Sequence, residues 1–247
     1  MRFVAQATQS RVPLRTVVAV PKMLAHPFAR KLWAQMQQNG VPCLPVSPEQ
    51  FLHLSRAQEP QWIGAVAAQR WQPLGQIVPG PELCWVALDT LHSPGNLGTL
   101  LRTCDAVGAA GLILVGSTID PYDPATVRAT MGALFTQRFA RASLPELLAW
   151  KRRHYGLLVG TSPHAKLDYQ AAPYPSPAER RPLILWLGGE RQGLTSEQQA
   201  ACDCTVQIPM VGRSDSLNLA VAASVLLYEV FNQRRRTPSR PSATPSP

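Results

Sequence analysis

Short β-branched runs alternate along this chain with stretches whose apolar residues recur every three or four positions. Residues 16–20 form one such run, fit for a buried strand. From His26 to Asn39 the apolar positions Phe28, Leu32 and Met36 are spaced four apart, and Gly40 follows as a stop, which predicts a helix. Residues 41–46 are the next strand candidate. Ser47-Pro48-Glu49-Gln50 then supplies an N-cap, a Pro at the first helical position and a Gln placed for a capping box. Residues 63–68 predict a third strand, so the opening third reads as a small α/β unit. Its first strand starts only after about fifteen residues, as though an opening strand were missing.

Pro73, Gly75, Pro79, Gly80 and Pro81 break the pattern and predict a linker over 71–82. The α/β rhythm then resumes, with strands predicted over 83–88, 112–115, 156–160, 183–187 and 206–208. Helices are predicted over 96–107, closed by Gly108, from Ser143 to about His154, and from Leu217 to about Gln233. Residues 234–247, rich in Pro, Ser and Thr, predict a disordered basic tail. The expected organisation is a domain over 1–70, the linker, a second domain over 83–233, and the tail.

Charge adds a functional constraint. The 247 residues carry 24 Lys and Arg against 15 Asp and Glu, a net charge of +9. Residues 1–80 hold eight basic and two acidic side chains, residues 81–233 hold twelve and thirteen, and the tail holds four Arg and no acid. The excess therefore sits at the two ends, which suits a polyanion gripped by the first domain while the neutral middle does something else. Twenty of the basic residues are Arg, whose planar fork pairs with phosphate. A high-GC genome also favours Arg over Lys, but it leaves the surplus of positive charge unexplained.

Five Cys (43, 84, 104, 202, 204) without a Cys-x-x-Cys pair argue against a disulfide framework. Cys202-x-Cys204 lacks a His at zinc-ligand spacing, so no metal is expected. The N-terminus lacks the apolar core of a signal peptide, and no apolar run approaches the ~20 residues that cross a bilayer. The reading is a soluble, cytoplasmic protein with no membrane contact.

In an open α/β sheet, ligands sit beyond the carboxyl ends of the strands. Three loops there carry candidate chemistry. In Asp89-Thr90-Leu91-His92-Ser93-Pro94-Gly95-Asn96-Leu97-Gly98-Thr99-Leu100-Leu101-Arg102, Asn96 is placed to cap a helix and Arg102 to add charge near an anion at its start. Alone, the segment reads as readily as a capping Asn with a surface Arg. In Leu187-Gly188-Gly189-Glu190-Arg191-Gln192-Gly193-Leu194 a Gly pair lets backbone approach a ligand. Glu190 is placed there to accept a ligand hydroxyl or to orient Arg102 or Asn96; its alternative is a solvated turn. In Ile208-Pro209-Met210 through Ser216-Leu217-Asn218, Ser216 or Asn218 caps the last helix or offers donors to a nucleotide. Neither Gly-x-Gly-x-x-Gly, Walker A nor Gly-x-Ser-x-Gly occurs, which argues against dinucleotide, P-loop and serine-hydrolase chemistry.

Together, in this order and spacing, the three loops resemble the SpoU (TrmH-like) RNA 2′-O-ribose methyltransferases of the SPOUT superfamily. The likeness runs over about 83–233 and includes Asp120-Pro121-Tyr122-Asp123-Pro124 and Met131-Gly132-Ala133-Leu134-Phe135. More loosely, the first 70 residues resemble the small ribosomal-protein-like substrate-binding domain of many members. The resemblance implies an α/β domain with a deep trefoil knot, a homodimer through the last helix, and S-adenosylmethionine held largely by backbone at Gly188, Ile208 and Leu217, with Thr161, Gly193 and Met210 close by. It implies Asn96, Arg102, Glu190, Ser216 and Asn218 as functional polar positions. Among these, Arg102 would act as phosphate clamp and electrostatic stabiliser, with Asn96 orienting it; a guanidinium gives up its proton too unwillingly to make a good base. The implied substrate is RNA, because only RNA offers a 2′-hydroxyl. Large-subunit ribosomal RNA is the expected substrate, with transfer RNA and a catalytically inactive RNA-binding homologue as alternatives. The tail's Arg234-Arg235-Arg236 is expected either to touch phosphate or to stay solvated.

Overall fold

The computed structural model describes residues 1–55, 59–116, 120–179, 181–190, 192–214 and 216–236. The chain divides into two compact units, the first ending at Gln69 and the second starting at Arg70.

The first unit runs α1 (Arg2–Gln9), β1 (Leu14–Ala19), α2 (Pro27–Gln38), β2 (Cys43–Pro45), α3 (Pro48–Ser55) and β3 (Ile63–Ala67). Its sheet has the order β2-β1-β3, with β1 parallel to β2 and antiparallel to β3. A helix, not a strand, opens the chain: α1 buries Val4, Ala5 and Ala7, and Val4 and Ala5 join the cluster formed by Val17, Ala19, Leu32, Met36 and Ile63. On the other face Phe51 packs on Val18 and Val20. His26 caps α2, its Nδ1 accepting from the Phe28 amide at 3.1 Å. Phe28, expected on the buried stripe, is 44% exposed, and Ala29 takes its place beside Leu32 and Met36.

The second unit runs β4 (Trp85–Leu88), α4 (Pro94–Val107), β5 (Gly111–Leu114), α5 (Pro124–Ala129), β6 (Arg138–Arg141), α6 (Leu144–Arg153), β7 (Leu157–Thr161), β8 (Leu167–Asp168), β9 (Leu183–Leu187), α7 (Ser196–Ala201), β10 (Cys204–Gln207) and α8 (Leu219–Arg236). Seven strands form one sheet in the order β6-β5-β4-β9-β7-β10-β8, every pairing parallel. A parallel sheet needs helices on both faces. Alternate residues of each strand therefore feed two cores. Val86, Leu88, Leu112, Leu185 and Leu187 pack with Leu97, Leu100 and Leu101 of α4 and Leu226, Leu227 and Val230 of α8. Trp85, Ala87, Ile113, Ile184 and Trp186 pack with Leu147 and Trp150 of α6. Each fully buried Leu of this kind contributes roughly 1.5–3 kcal/mol. Since the strands are parallel, all their carboxyl ends lie along one edge, and the three candidate loops leave from that edge.

Two expected boundaries change. The segment over 71–82 is built into the second unit rather than free: Leu74 and Ile77 are buried, the Trp150 indole donates to the Ile77 carbonyl at 2.8 Å, and the Gln72 amide bonds the Phe139 carbonyl. The last helix does not stop at Gln233 but continues through Arg236; Arg234 donates to the carbonyls of Glu82 and Leu83 at 2.7 and 3.1 Å. Arg234–Arg236 is thus helix, not tail. Residues 237–247 lie outside the described residues. No helix among the described residues is long and apolar enough to cross a membrane.

Candidate functional site

The first loop joins β4 to α4. Ser93, not Asn96, caps this helix: its Oγ accepts from the Asn96 amide at 3.3 Å, and Pro94 fills the first helical position. Asn96 is thereby freed from capping and sits in the first turn with its amide side chain available. It turns toward α8. Seven residues further along the same face, Thr103 Oγ1 lies 2.9 Å from Ser224 Oγ of α8.

The third loop ends at Asn218, and here the capping expectation holds for Asn218 rather than Ser216. Asn218 Oδ1 accepts from the amides of Ala220 and Val221 at 3.0 and 3.3 Å, closing the start of α8. Its other side-chain atom does separate work: Nδ2 donates to Asn96 Oδ1 at 3.0 Å. Asn96 in turn donates its Nδ2 to Glu190 Oε1 in the second loop. One side-chain relay, Glu190–Asn96–Asn218, therefore ties all three loops together. Glu190 orients Asn96, not Arg102.

The loop that carries Glu190 is held in shape by its own backbone. The amides of Gly189 and Gly193 bond each other's carbonyls at 3.0 and 2.9 Å, and Gly193 has a φ of +65°. A Cβ on Gly188 would stand 2.2 Å from the Gly193 carbonyl carbon, so only glycine fits the return. Behind the loop, a Cβ on Gly160 would meet Cys202 Sγ at 2.6 Å and Leu194 Cδ1 at 2.8 Å. Burial pushes the Cys202 thiol up to about 12, so it stays protonated near neutral pH.

Arg102 stands apart from the relay. Six residues separate it from Asn96, which at about 100° per residue places the two side chains about 120° apart around α4. Arg102 is exposed, and none of its side-chain donors has a partner among the described residues. The expected orientation of Arg102 by Asn96 is not found. Ser216 is likewise exposed without a side-chain partner among the described residues.

The positions expected to hold a cofactor also lie along this edge. Thr161 ends β7, half-buried, its Oγ1 donating to the Trp186 carbonyl at 3.3 Å. Ile208 packs against the core from just beyond β10, while Met210 and Leu217 are 38% and 40% exposed. The amides of Met210 and Leu217 bond no backbone or side-chain group among the described residues. Unpaired amides beside accessible apolar side chains are the features a cofactor held through backbone requires, so these residues fit S-adenosylmethionine.

Three residues of the first loop have supporting roles that sequence reading did not assign. Ser93 aims Asn96, and Ser93-Pro94 is the same start signal read at Ser47-Pro48. Asp89 Oδ2 accepts from Gln198 Nε2 of α7 at 3.0 Å, bracing the first loop. Thr90 packs against Gly189, whose Cβ would lie 3.4 Å from Thr90 Cβ. A separate cleft of about 410 Å³ opens at the carboxyl ends of β5 and β6, and none of the sequence-predicted site residues line it.

A parallel sheet flanked by helices, with Gly-rich and Asn-bearing loops joined at the carboxyl edge, defines an α/β protein built to hold a ligand there. The model of the SpoU rRNA Methylase family matches residues 84–228, and the chain belongs to that family. It is 33% identical over 241 residues to a 23S rRNA (uridine(2479)-2'-O)-methyltransferase of Streptomyces viridochromogenes, covering 95% of this chain and 81% of that protein. It is 31% identical over 208 residues to the 23S rRNA (guanosine-2'-O-)-methyltransferase RlmB of Bordetella pertussis, covering 81% and 82%. Among solved structures, the AdoMet-bound rRNA methyltransferase of Sinorhizobium meliloti superposes with a TM-score of 0.82 at 35% identity, covering 94% of this chain and 85% of that one.

Proposed function

We propose that this protein transfers a methyl group from S-adenosylmethionine to a ribose 2′-hydroxyl of large-subunit ribosomal RNA. The observation that carries the proposal is the Glu190–Asn96–Asn218 relay, which locks three ligand-edge loops into one site in a member of the SpoU family. The 23S rRNA substrates in the relatives' names weigh for ribosomal over transfer RNA. An enzyme of ribosomal RNA works where ribosomes are, which places this reading in the cytoplasm.

When bound, S-adenosylmethionine would supply a sulfonium methyl to the ribose oxygen, the carbon–sulfur bond breaking with its electron pair left on sulfur and the hydroxyl proton passing to solvent. Gly188, Ile208, Met210 and Leu217, with Thr161 and Gly193 beside them, would hold it through backbone and apolar contact. The chain's task is to present the hydroxyl in line, and fixing two reactants in this way supplies several kcal/mol of the barrier. The relay does so by fixing the starts of α4 and α8 relative to the Glu190 loop. Arg102, exposed two turns into α4, is free to take the phosphate beside the target ribose and to stabilise charge developing on oxygen. Ser216 is free to meet the substrate hydroxyl.

The reading extends to a trefoil knot in the second unit, supported by a strand order that sets β9 between β4 and β7. It also extends to a homodimer through α8, supported by the exposure of Val221 and Tyr228, seven residues apart on one face. The first unit would grip folded RNA, supported by its positive charge.

The test is transfer of a labelled methyl from S-adenosylmethionine to unmodified total RNA, separated by size and hydrolysed in alkali. A 2′-O-methyl blocks cleavage at its own position. Label in alkali-resistant dinucleotides from the large-subunit band is expected; label in mononucleotides, or in transfer RNA, would overturn the reading.

A further inference from the structure

The cleft at the carboxyl ends of β5 and β6 holds groups that the relay does not use. It measures about 410 Å³, a size that small-ligand sites share, and Leu114, Val115, Gly116, Arg141, Ser143 and Glu146 line it. It adjoins the proposed site. The Val115 amide bonds the Leu88 carbonyl at the end of β4 at 2.8 Å, and a Cβ on Gly116 would stand 2.0 Å from Oδ1 of Asp89, where the loop toward Asn96 begins. In the order β6-β5-β4-β9, the β5–β6 boundary lies two strand spacings, about 10 Å, from the β4–β9 boundary.

Arg141 is mounted on an aromatic platform. Its guanidinium carbon lies over the Trp71 ring, 4.0 Å from the centroid. Trp71 is itself fixed: the rings of Tyr122 and Phe139 stand edge-on to it at 5.6 and 6.1 Å. The residues on either side are pinned as well. The Tyr122 hydroxyl donates to the Arg70 carbonyl and accepts from the Arg70 amide, each at 2.9 Å, and the Gln72 amide bonds the Phe139 carbonyl at 2.8 Å. Three residues earlier on β6, Arg138 meets Glu82 Oε1 and Gln72 Oε1, both at 3.0 Å. Arg141, by contrast, is exposed and its side chain has no ion pair or hydrogen bond among the described residues. Across the cleft, the Ser143 amide and hydroxyl both donate to Glu146 Oε2 at 2.7 Å, which holds that carboxyl below the usual carboxylate range.

One fixed cation and one ionised carboxylate leave the cleft without a net sign. A phosphate entering it would meet the charge of Glu146 as well as that of Arg141, whereas a neutral flat ring with donors and acceptors on its rim would not be repelled. We infer that the cleft takes an unpaired nucleobase of the substrate RNA, stacked on the outer face of the Arg141 guanidinium, a short way along the strand from the target ribose. Sequence-specific RNA recognition works on bases splayed out of loops, and aromatic rings and guanidinium planes are the surfaces on which they stack. This inference rests on the proposed function and adds to it a contact that reads a neighbouring base.

Two variants of the full chain and one cross-link test it. Arg141→Ala should bind an unmodified large-subunit rRNA transcript about tenfold or more weaker, with cofactor affinity unchanged. The dependence of affinity on salt separates base from phosphate. Loss of a stacked base should leave the slope as in the parent; a slope lower by about 0.7 would mark a lost phosphate contact and overturn the inference. Arg141→Lys keeps the charge without the plane and should bind RNA more like Arg141→Ala than like the parent. Full recovery in Arg141→Lys would overturn stacking. Parental RNA affinity in Arg141→Ala, whatever its melting point, would reduce Arg141 to a cover for Trp71 and overturn the inference too. A photo-reactive amino acid at position 141 supplies a readout that needs no catalysis. A cross-link to an unpaired nucleotide in unmodified total RNA is expected; a cross-link confined to duplex, or none to RNA, overturns the contact. If the parent transfers no methyl to any RNA, the proposed function fails on its own and the cross-link still decides this contact.

Discussion

Asn218 serves two helices at once: its Oδ1 accepts from the amides that open α8, and its Nδ2 reaches Asn96 Oδ1 on α4 at 3.0 Å. The two tasks separate on substitution. Asn218→Asp keeps an oxygen cap but faces Asn96 with an acceptor where a donor stood. It should melt within a degree or two of the parent and lose roughly tenfold or more in kcat. Asn218→Ala removes the cap as well, which costs about 1 kcal/mol of stability. Thermal melts beside single-turnover methylation distinguish the two; an active Asn218→Asp would show that the link to Asn96 is dispensable.

Glu190 accepts from Asn96, and acceptance does not require a negative charge. Glu190→Gln retains a carbonyl oxygen at the same reach and should keep most of the activity. Glu190→Ala leaves the Asn96 amide without its acceptor and should lose about ten- to a hundredfold, a loss of about 1.4–2.8 kcal/mol in transition-state binding. Equal collapse of both variants would point to the charge itself, and so to a proton-handling role for the carboxylate.

Arg102 and Asn96 occupy different faces of α4, so their losses should differ in kind. Arg102→Ala should abolish most turnover and weaken RNA binding while leaving S-adenosylmethionine affinity intact. Arg102→Lys keeps a point charge but not the fork, and should recover RNA affinity better than kcat. Calorimetry for the cofactor and a filter-binding titration for RNA read the two apart. Joint loss of cofactor and RNA affinity would place Arg102 in the cofactor site instead.

How legible this site was in sequence depended on the range of the interactions. The three loops were visible because Gly pairs, Asn and Ser stand where strands end, and those residue types are local statements about backbone. The relay was not visible, because Asn96, Glu190 and Asn218 are 94 and 122 residues apart at their closest links. The same holds for the fold. Long buried strands such as β9 and the capped α6 announced themselves. The edge strand β6 did not: it is four residues long, with Arg138 and Arg141 at its ends. α5 is six residues long, and only its Asp123-Pro124 start hinted at it. The Pro- and Gly-rich segment over 71–82 carries turn signals that a free linker would share. What builds it into the second unit is the burial of Leu74 and Ile77, and two apolar residues three apart are too few for a period to show. Likewise, the run of arginines after Gln233 resembles a solvated tail until Arg234 finds two carbonyls more than 150 residues away.

Two glycines allow stability and cofactor binding to be moved independently. At Gly98 an added methyl would stand 2.3 Å from Ala129 Cβ and 2.7 Å from the Ala129 carbonyl carbon, so α4 and α5 must part. Overpacking of this sort costs about 1–3 kcal/mol. Gly98→Ala should therefore lower the melting temperature, yet bind S-adenosylmethionine as the parent does. At Gly188 the methyl would meet backbone on the far side of a tight return, 2.2 Å from the Gly193 carbonyl carbon and 2.3 Å from the Leu194 nitrogen. Backbone cannot swing aside as a side chain does, so the 188–194 loop must be rebuilt and Glu190 moves with it. Gly188→Ala should lose cofactor affinity by about a hundredfold and activity with it. Melting curves and calorimetric titration of both variants against S-adenosylmethionine provide the comparison. Parental cofactor affinity in Gly188→Ala would remove this loop from the cofactor site and leave it only the task of aiming Asn96.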